Sequence, residues 1–196
     1  VSGLPAIPTI VVSGLPRSGT SAAMQCLAAG GVEPVTDGLR TPDADNPRGY
    51  LELEAVKRLK SDKAWLDGAA GKAVKVIHLL LPELPDDRAY RVIFLRRDLG
   101  EVVRSQAAML ERGGKKPALP ADRLVAMYEA QLRQVDAWLA ARPNFVRLDV
   151  EHARLVRETV PTVAAIADFV EAGLGRPLDR AAMAAAVDPS LHRNRS

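Results

Sequence analysis

The sequence predicts an α/β protein: a three-layer α/β/α sandwich around a mostly parallel sheet, with a P-loop-like turn after the first strand. Three observations carry this reading. Short β-branched runs alternate with helical stretches along the chain. The first such run leads at once into Gly14-Leu-Pro-Arg-Ser-Gly-Thr-Ser21, a glycine-bounded loop that opens a helix. No repeat, low-complexity segment or long linker divides the 196 residues, so 1–196 is expected to be a single domain.

The elements follow in order. Ile7–Ser13 is the first strand, and Ser18–Ala29 reads as a helix with Met24, Cys26 and Leu27 as apolar content. Residues 36–49 are rich in Gly, Pro, Asp and Asn and read as a loop. Leu51–Asp62 is expected to be helical. Ala73–Ile77 and Tyr90–Leu95 are strands, Asp98–Glu111 is a helix, and Gly113–Pro120 is a break. Residues 122–141 carry the clearest helical period, with Leu124, Tyr128, Leu132, Val135 and Leu139 on one face. Pro143 stops it. Asn144–Leu148 is a last strand, and two or three Ala-rich helices finish the chain.

Composition excludes several classes. Lys and Arg number 27 against 24 Asp and Glu, a net charge of +3, too small an excess for a nucleic-acid surface. Aromatic residues are 4%, too few for a base-stacking platform. No apolar run approaches the roughly 18 residues of a membrane span. Cys26 is the lone cysteine, so neither an intrachain disulfide nor a cysteine metal cluster is possible. The chain is expected to be cytoplasmic, with no nucleic-acid partner and no membrane span.

The first loop has the chemistry of an anion cradle. Small residues let backbone N–H groups turn inward, and the following helix adds the positive end of its dipole. Gly14, Pro16, Arg17, Ser18, Gly19, Thr20 and Ser21 are the candidate contacts. The spacing is that of a nucleotide-triphosphatase loop, but Thr20 stands where such a loop has its lysine. Arg17, inside the curve, supplies the cation instead. A second anchor follows the strand that ends in Arg96-Arg97-Asp98. Arg97 and Ser105 lie eight residues apart, and a helix capped near Asp98 would carry Ser105 about two turns in. The pair reads as a clamp on one phosphate.

On these residues the chain resembles the sulfotransferases that use 3′-phosphoadenosine 5′-phosphosulfate (PAPS). GLPRSGTS at 14–21 is similar to their 5′-phosphosulfate loop, and Arg97 to Ser105 resembles their 3′-phosphate motif. Asn46-Pro-Arg-Gly-Tyr-Leu-Glu52 resembles a segment of small bacterial members, and Asp188–Arg193 is similar to their tail. Arg17 replaces the lysine common in that loop, and Ala22 and Ala23 stand where many members carry an adenine-stacking Trp. The resemblance implies PAPS as donor, no required metal, and an acceptor among carbohydrates, lipids and small metabolites. Acceptor lid residues are expected to be few.

Sulfuryl transfer needs cations at the leaving phosphate, a base for the acceptor proton, and in-line positioning. Arg17 is the candidate leaving-side cation. Two residues compete for the base. His78 follows the strand Ala73–Ile77 at the end where α/β sheets place ligands, and imidazole titrates near neutrality. Glu52 lies in the segment that resembles the bacterial members, and it is favoured. Lys75 is a candidate sulfate contact; His152 and His192 read as surface residues. A P-loop kinase or nucleotide triphosphatase, and a non-catalytic nucleotide-binding protein, are the competing functions.

Overall fold

A computed structural model describes residues 7–41 and 49–187. Its sheet has four strands: β1 (Thr9–Gly14), β2 (Ala73–Lys75), β3 (Tyr90–Arg96) and β4 (Phe145–Glu151). Their order is β2-β1-β3-β4, and every pair is parallel. The helices are α1 (Thr20–Ala29), α2 (Leu99–Arg112), α3 (Ala121–Ala140), α4 (His152–Arg157), α5 (Thr159–Leu174) and α6 (Arg180–Ala186).

A strand covered on both faces needs apolar residues at every position, which is why β1 and β3 read as continuous runs. Ile10, Val12, Ile93 and Leu95 point to one face, where Met24 and Leu27 of α1, Ile166 of α5 and Met183 of α6 close over them. Val11, Val92 and Phe94 point to the other, against Val135 and Leu139 of α3. The alternation within each strand therefore builds two cores and three layers. A third cluster joins Leu15 to Val102 of α2 and to Leu124 and Tyr128 of α3. It fixes the first loop against the helix that follows β3. Among the described residues, no helix is long and apolar enough to cross a membrane.

β1 begins at Thr9 and not at Ile7, and β2 ends at Lys75 and not at Ile77. Three further local readings differ from the structure. The segment expected to be helical from Leu51 to Asp62 contains only a 3₁₀ helix, Glu54–Arg58. Leu51 has φ 48°, which a continuous right-handed helix cannot contain. The turns that follow use three-residue bonds, Val56 N–H to Leu53 O and Leu59 N–H to Val56 O. The helix after the first loop begins at Thr20 and not at Ser18, because Gly19 still has a left-handed φ of 98°. β4 runs to Glu151, three residues past Leu148. Its charged Arg147, Asp149 and Glu151 hide an edge strand whose ladder with β3 continues to Arg96–Glu151. Arg147 and Asp149 are tied down. Asp149 takes Arg96 at 2.8 Å and Arg147 at 3.0 Å, and both arginines also reach Asp136 of α3.

Candidate active site

The chain leaves β1 for β2 on one side, then crosses back to β3 on the other. Such a reversal opens a crevice at the carboxyl ends of the strands, the usual ligand position in α/β sheets. A cavity of about 410 Å³ lies at that end of β1, against the Gly14–Ser21 loop. That volume is in the range of small-molecule sites.

The loop is shaped by two glycines and a strained arginine. At Gly14 (φ 149°) a Cβ would come within 2.8 Å of the Leu95 carbonyl oxygen. At Gly19 a Cβ would stand 2.5 Å from Cδ2 of His152. His152, read from sequence as a surface residue, is thus buried behind the loop at the start of α4. The ring packs there because β4 ends beside the loop. His192, the tail resembling Asp188–Arg193, and residues 46–48 of the bacterial-type segment lie outside the described residues. Gly19→Ala is expected to destabilise the fold by about 1–3 kcal/mol, combining a left-handed backbone with a close contact. Urea unfolding measures it, and an unchanged midpoint would mean that the ring yields.

Arg17 adopts φ 67°, unusual for a residue with a side chain. Arg97 holds that conformation by donating from Nη1 to the Arg17 carbonyl at 2.9 Å. Arg97 is itself paired through Nε with Glu101, also at 2.9 Å. The Arg17 guanidinium then extends toward α2, where Nε donates to Ser105 Oγ at 3.1 Å. Asp98 caps α2, its carboxylate accepting from Glu101 N–H at 2.9 Å. The two anchors separated in sequence are therefore one cluster, with Arg17 seated between Arg97 and Ser105. Arg17 and Arg97 line the cavity. Ser105 is only 3% exposed and faces Arg17.

The amino end of α1 is open. Asp98 and Asp179 cap α2 and α6 by accepting from backbone N–H groups, whereas α1 has no side-chain cap and no acid in its first turn. Gly19, Thr20 and Ser21 line the cavity at this end. Ser18 does not line it. Its Oγ is buried toward Gly14 and has no hydrogen-bond partner among the described residues. Pro16 lines the cavity beside Arg17.

The two candidate bases are placed differently. Glu52 lines the cavity, while His78 is 2% exposed behind the loop. His78 Nδ1 lies 3.2 Å from the Gly14 carbonyl oxygen, which can only accept, so Nδ1 carries a proton. Nε2 lies 2.9 Å from the Gln131 side-chain amide of α3. Burial holds the imidazole below its ordinary pKa, against the opposing effect of both hydrogen bonds. His78 thus ties β1, α3 and the 3₁₀ helix His78–Glu83 together.

Glu52 is held by two cations. Lys75 Nζ at the end of β2 lies 2.8 Å from Oε1, and Arg40 Nη1 lies 2.8 Å from Oε2. Burial works to raise the Glu52 carboxyl, but Lys75 and Arg40 together hold it below the usual carboxylate range. Burial lowers Lys75 despite the pull of Glu52, and Arg40 and Arg17 add to that lowering. Lys75 also donates to Ser21 Oγ at 2.9 Å, linking Glu52 to the loop. Arg40 stacks over the Tyr50 ring, 3.4 Å from its centroid. Sequence reasoning missed Arg40 and Gln131, which lie in turn-rich chain or on a helix face where no local spacing marks them; Tyr50 stood in the Asn46–Glu52 segment with no role assigned to it.

Among the described residues, the cavity is lined by five cations, Arg17, Arg40, Lys57, Lys75 and Arg97, against two carboxylates, Glu52 and Glu54. An anion of more than one charge fits that field.

No protein-family model and no curated protein matches the chain. The solved structures similar to it include two sulfotransferase domains that match over nearly their whole lengths. One is the sulfotransferase domain from the curacin biosynthetic pathway: 14% identity, TM-score 0.52, covering 97% of this chain and 90% of that one. The other is the sulfotransferase domain from the Synechococcus PCC 7002 olefin synthase: 15% identity, TM-score 0.50, covering 98% and 88%. The fold of this chain is that of sulfotransferase domains, a P-loop-like α/β/α arrangement.

Proposed function

We propose that the protein is a sulfotransferase that takes a sulfuryl group from PAPS and delivers it to an acceptor hydroxyl or amine. The observation that carries this reading is the convergence of an uncapped helix start, two hydroxyls and five cations on one cavity. The donor supplies an activated sulfuryl group: its sulfur–oxygen bond to the 5′-phosphate breaks as a bond from sulfur to the acceptor forms.

Thr20, Ser21 and the first amides of α1 bind the 5′ end. Arg17 neutralises charge that grows on the phosphate oxygen; always protonated, it stabilises that charge and does not supply a proton. Arg97 faces the 3′-phosphate, and Ser105 joins it when Arg17 Nε turns from the hydroxyl toward the leaving group. Glu52 takes the acceptor proton. In the free protein two ion pairs make it a weak base. A bound polyanion competes for Lys75 and Arg40, and each ion pair drawn away raises the proton affinity of Glu52. The base is thereby strengthened when the donor is in place. His78 holds the loop from behind.

Nucleotide calorimetry tests the reading. 3′,5′-ADP is expected to bind at least about tenfold more tightly than 5′-AMP, since one charge-assisted phosphate contact contributes about 1.5–3 kcal/mol. Equal affinities would remove the basis for a sulfotransferase. Magnesium-dependent ATP turnover would favour a kinase or triphosphatase.

A further inference from the structure

The cavity has two unlike walls. Across the carboxyl edge of the sheet, the loop after β1 and Arg97 after β3 supply charge. Beyond Lys75 and Glu52, on the β2 side, the lining changes to Leu53, Val56, Val76, Ile77 and Leu80. Val56 and Val76 are the buried edge of the core on that face, and Leu53 and Leu80 pack against it. Ile77 is different. It is 44% exposed, between Val76 and His78, which are both buried. A large aliphatic side chain is thus held open on a cavity that also carries five cations.

The polar residues of this wall sit at its rim. Lys57 Nζ pairs with Glu54 at 2.8 Å, and both side chains are largely exposed. The Glu54 backbone N–H donates to Asp37 Oδ2 at 2.6 Å. A sugar packed here would leave hydroxyls against Val56, Ile77 and Leu80, and buried hydroxyls without partners bind poorly. An apolar body gains by leaving water, while a single hydroxyl at the border reaches Glu52. The cavity volume must be shared with the phosphosulfate, so the body is a ring system or a short chain.

Resting on the sulfotransferase reading, we infer that the acceptor is a small apolar alcohol or phenol, seated on the Leu53–Val56–Ile77–Leu80 wall with its hydroxyl toward Glu52. In the transfer, the acceptor oxygen forms a bond to sulfur, the bond from sulfur to the phosphate oxygen breaks, and the hydroxyl proton passes to the carboxylate. The electron pair of the broken bond stays on 3′,5′-ADP.

Binding tests this without turnover. 2-Naphthol is titrated by its fluorescence into protein saturated with 3′,5′-ADP, and N-acetylglucosamine is titrated by calorimetry under the same conditions. Naphthol is expected to bind at least about tenfold more tightly than the sugar. Ile77→Ser, at an exposed position, is expected to weaken naphthol about fivefold or more, with unchanged 3′,5′-ADP affinity and an unchanged melting temperature. Tighter sugar binding overturns the inference. So does an equal loss of 3′,5′-ADP and naphthol affinity in Ile77→Ser, which would make this wall the seat of the adenine. Failure of 3′,5′-ADP to bind the wild-type protein would overturn the sulfotransferase reading itself; the naphthol titration without nucleotide would still report on the wall.

Discussion

Glu52→Gln is expected to lower sulfuryl transfer by about 10²–10⁴-fold, the usual range for loss of a positioned general base, with 3′,5′-ADP affinity changed little. Glutamine keeps the size of the side chain but has a single acceptor oxygen, so it meets Lys75 or Arg40 and not both, and it takes no proton. The pH profile separates this role from a structural one. Two cations hold Glu52 below the usual carboxylate range in the free protein, so it stays ionised to lower pH than an ordinary carboxylate. The acid limb of kcat/KM, which reports the free enzyme, should therefore lie below that range. The acid limb of kcat, which reports the loaded enzyme, should lie higher, because the donor has drawn cations away. The same depression makes the Glu52 ion pairs a source of stability that is present above the unfolded carboxylate pKa and lost as pH falls through the folded one. Near wild-type turnover in Glu52→Gln, or an acid limb that survives the substitution, would move the base elsewhere, and His78→Gln is then the variant to measure.

Arg17→Ala is expected to cost about 10²–10³-fold in turnover, as for deletion of one preorganised electrostatic stabiliser, with a smaller loss in donor affinity. The local geometry gives the prediction its shape. The left-handed backbone at position 17 is held by Arg97, whose hydrogen bond is to the main chain and survives the substitution. Alanine at φ 67° is still strained, so a modest loss of stability accompanies the kinetic loss. Arg17→Lys, which keeps a cation but loses the Nε donor to Ser105, should recover part of the rate. If Arg17→Ala weakens donor binding and leaves kcat unchanged, the residue anchors the ground state only.

The fold was legible where both faces of a strand are buried. Ile10–Val12 in β1 and Val92–Leu95 in β3 are unbroken apolar runs, and α3 shows its period because Leu124, Tyr128, Val135 and Leu139 all enter the core. Legibility failed where structure depends on distant partners. The 3₁₀ segment after Leu53 is anchored by Asp37 from the preceding loop, a contact that no periodicity in 51–62 encodes. At the site, the loop and Arg97 could be read because each is a local motif at a strand end. The grip of Arg17 on Ser105 could not, since it joins residues 88 positions apart. Nor could the double ion pair of Glu52, which joins a loop, a strand end and the 49–53 segment. His152 looked like a surface residue because its burial depends on Gly19 leaving space for the ring.

The acidic and basic clasp on β4 has a bearing on how this chain behaves at high concentration. An outermost strand offers unpaired backbone groups to any second strand that approaches, the usual route to intermolecular sheet growth. Here the exposed strand carries Arg147 and Asp149 in alternation, and both are pinned to Asp136 or Arg96. A docking strand would have to lie against fixed charges. The opposite edge is closed differently: β2 has three residues, and Pro34 forms a bridge to its first one. Neither side of the sheet presents a long apolar template. The clasp therefore depends on α3: any opening that withdraws Asp136 takes a partner from both Arg96 and Arg147, and Val146 beside Arg147 is itself 48% exposed.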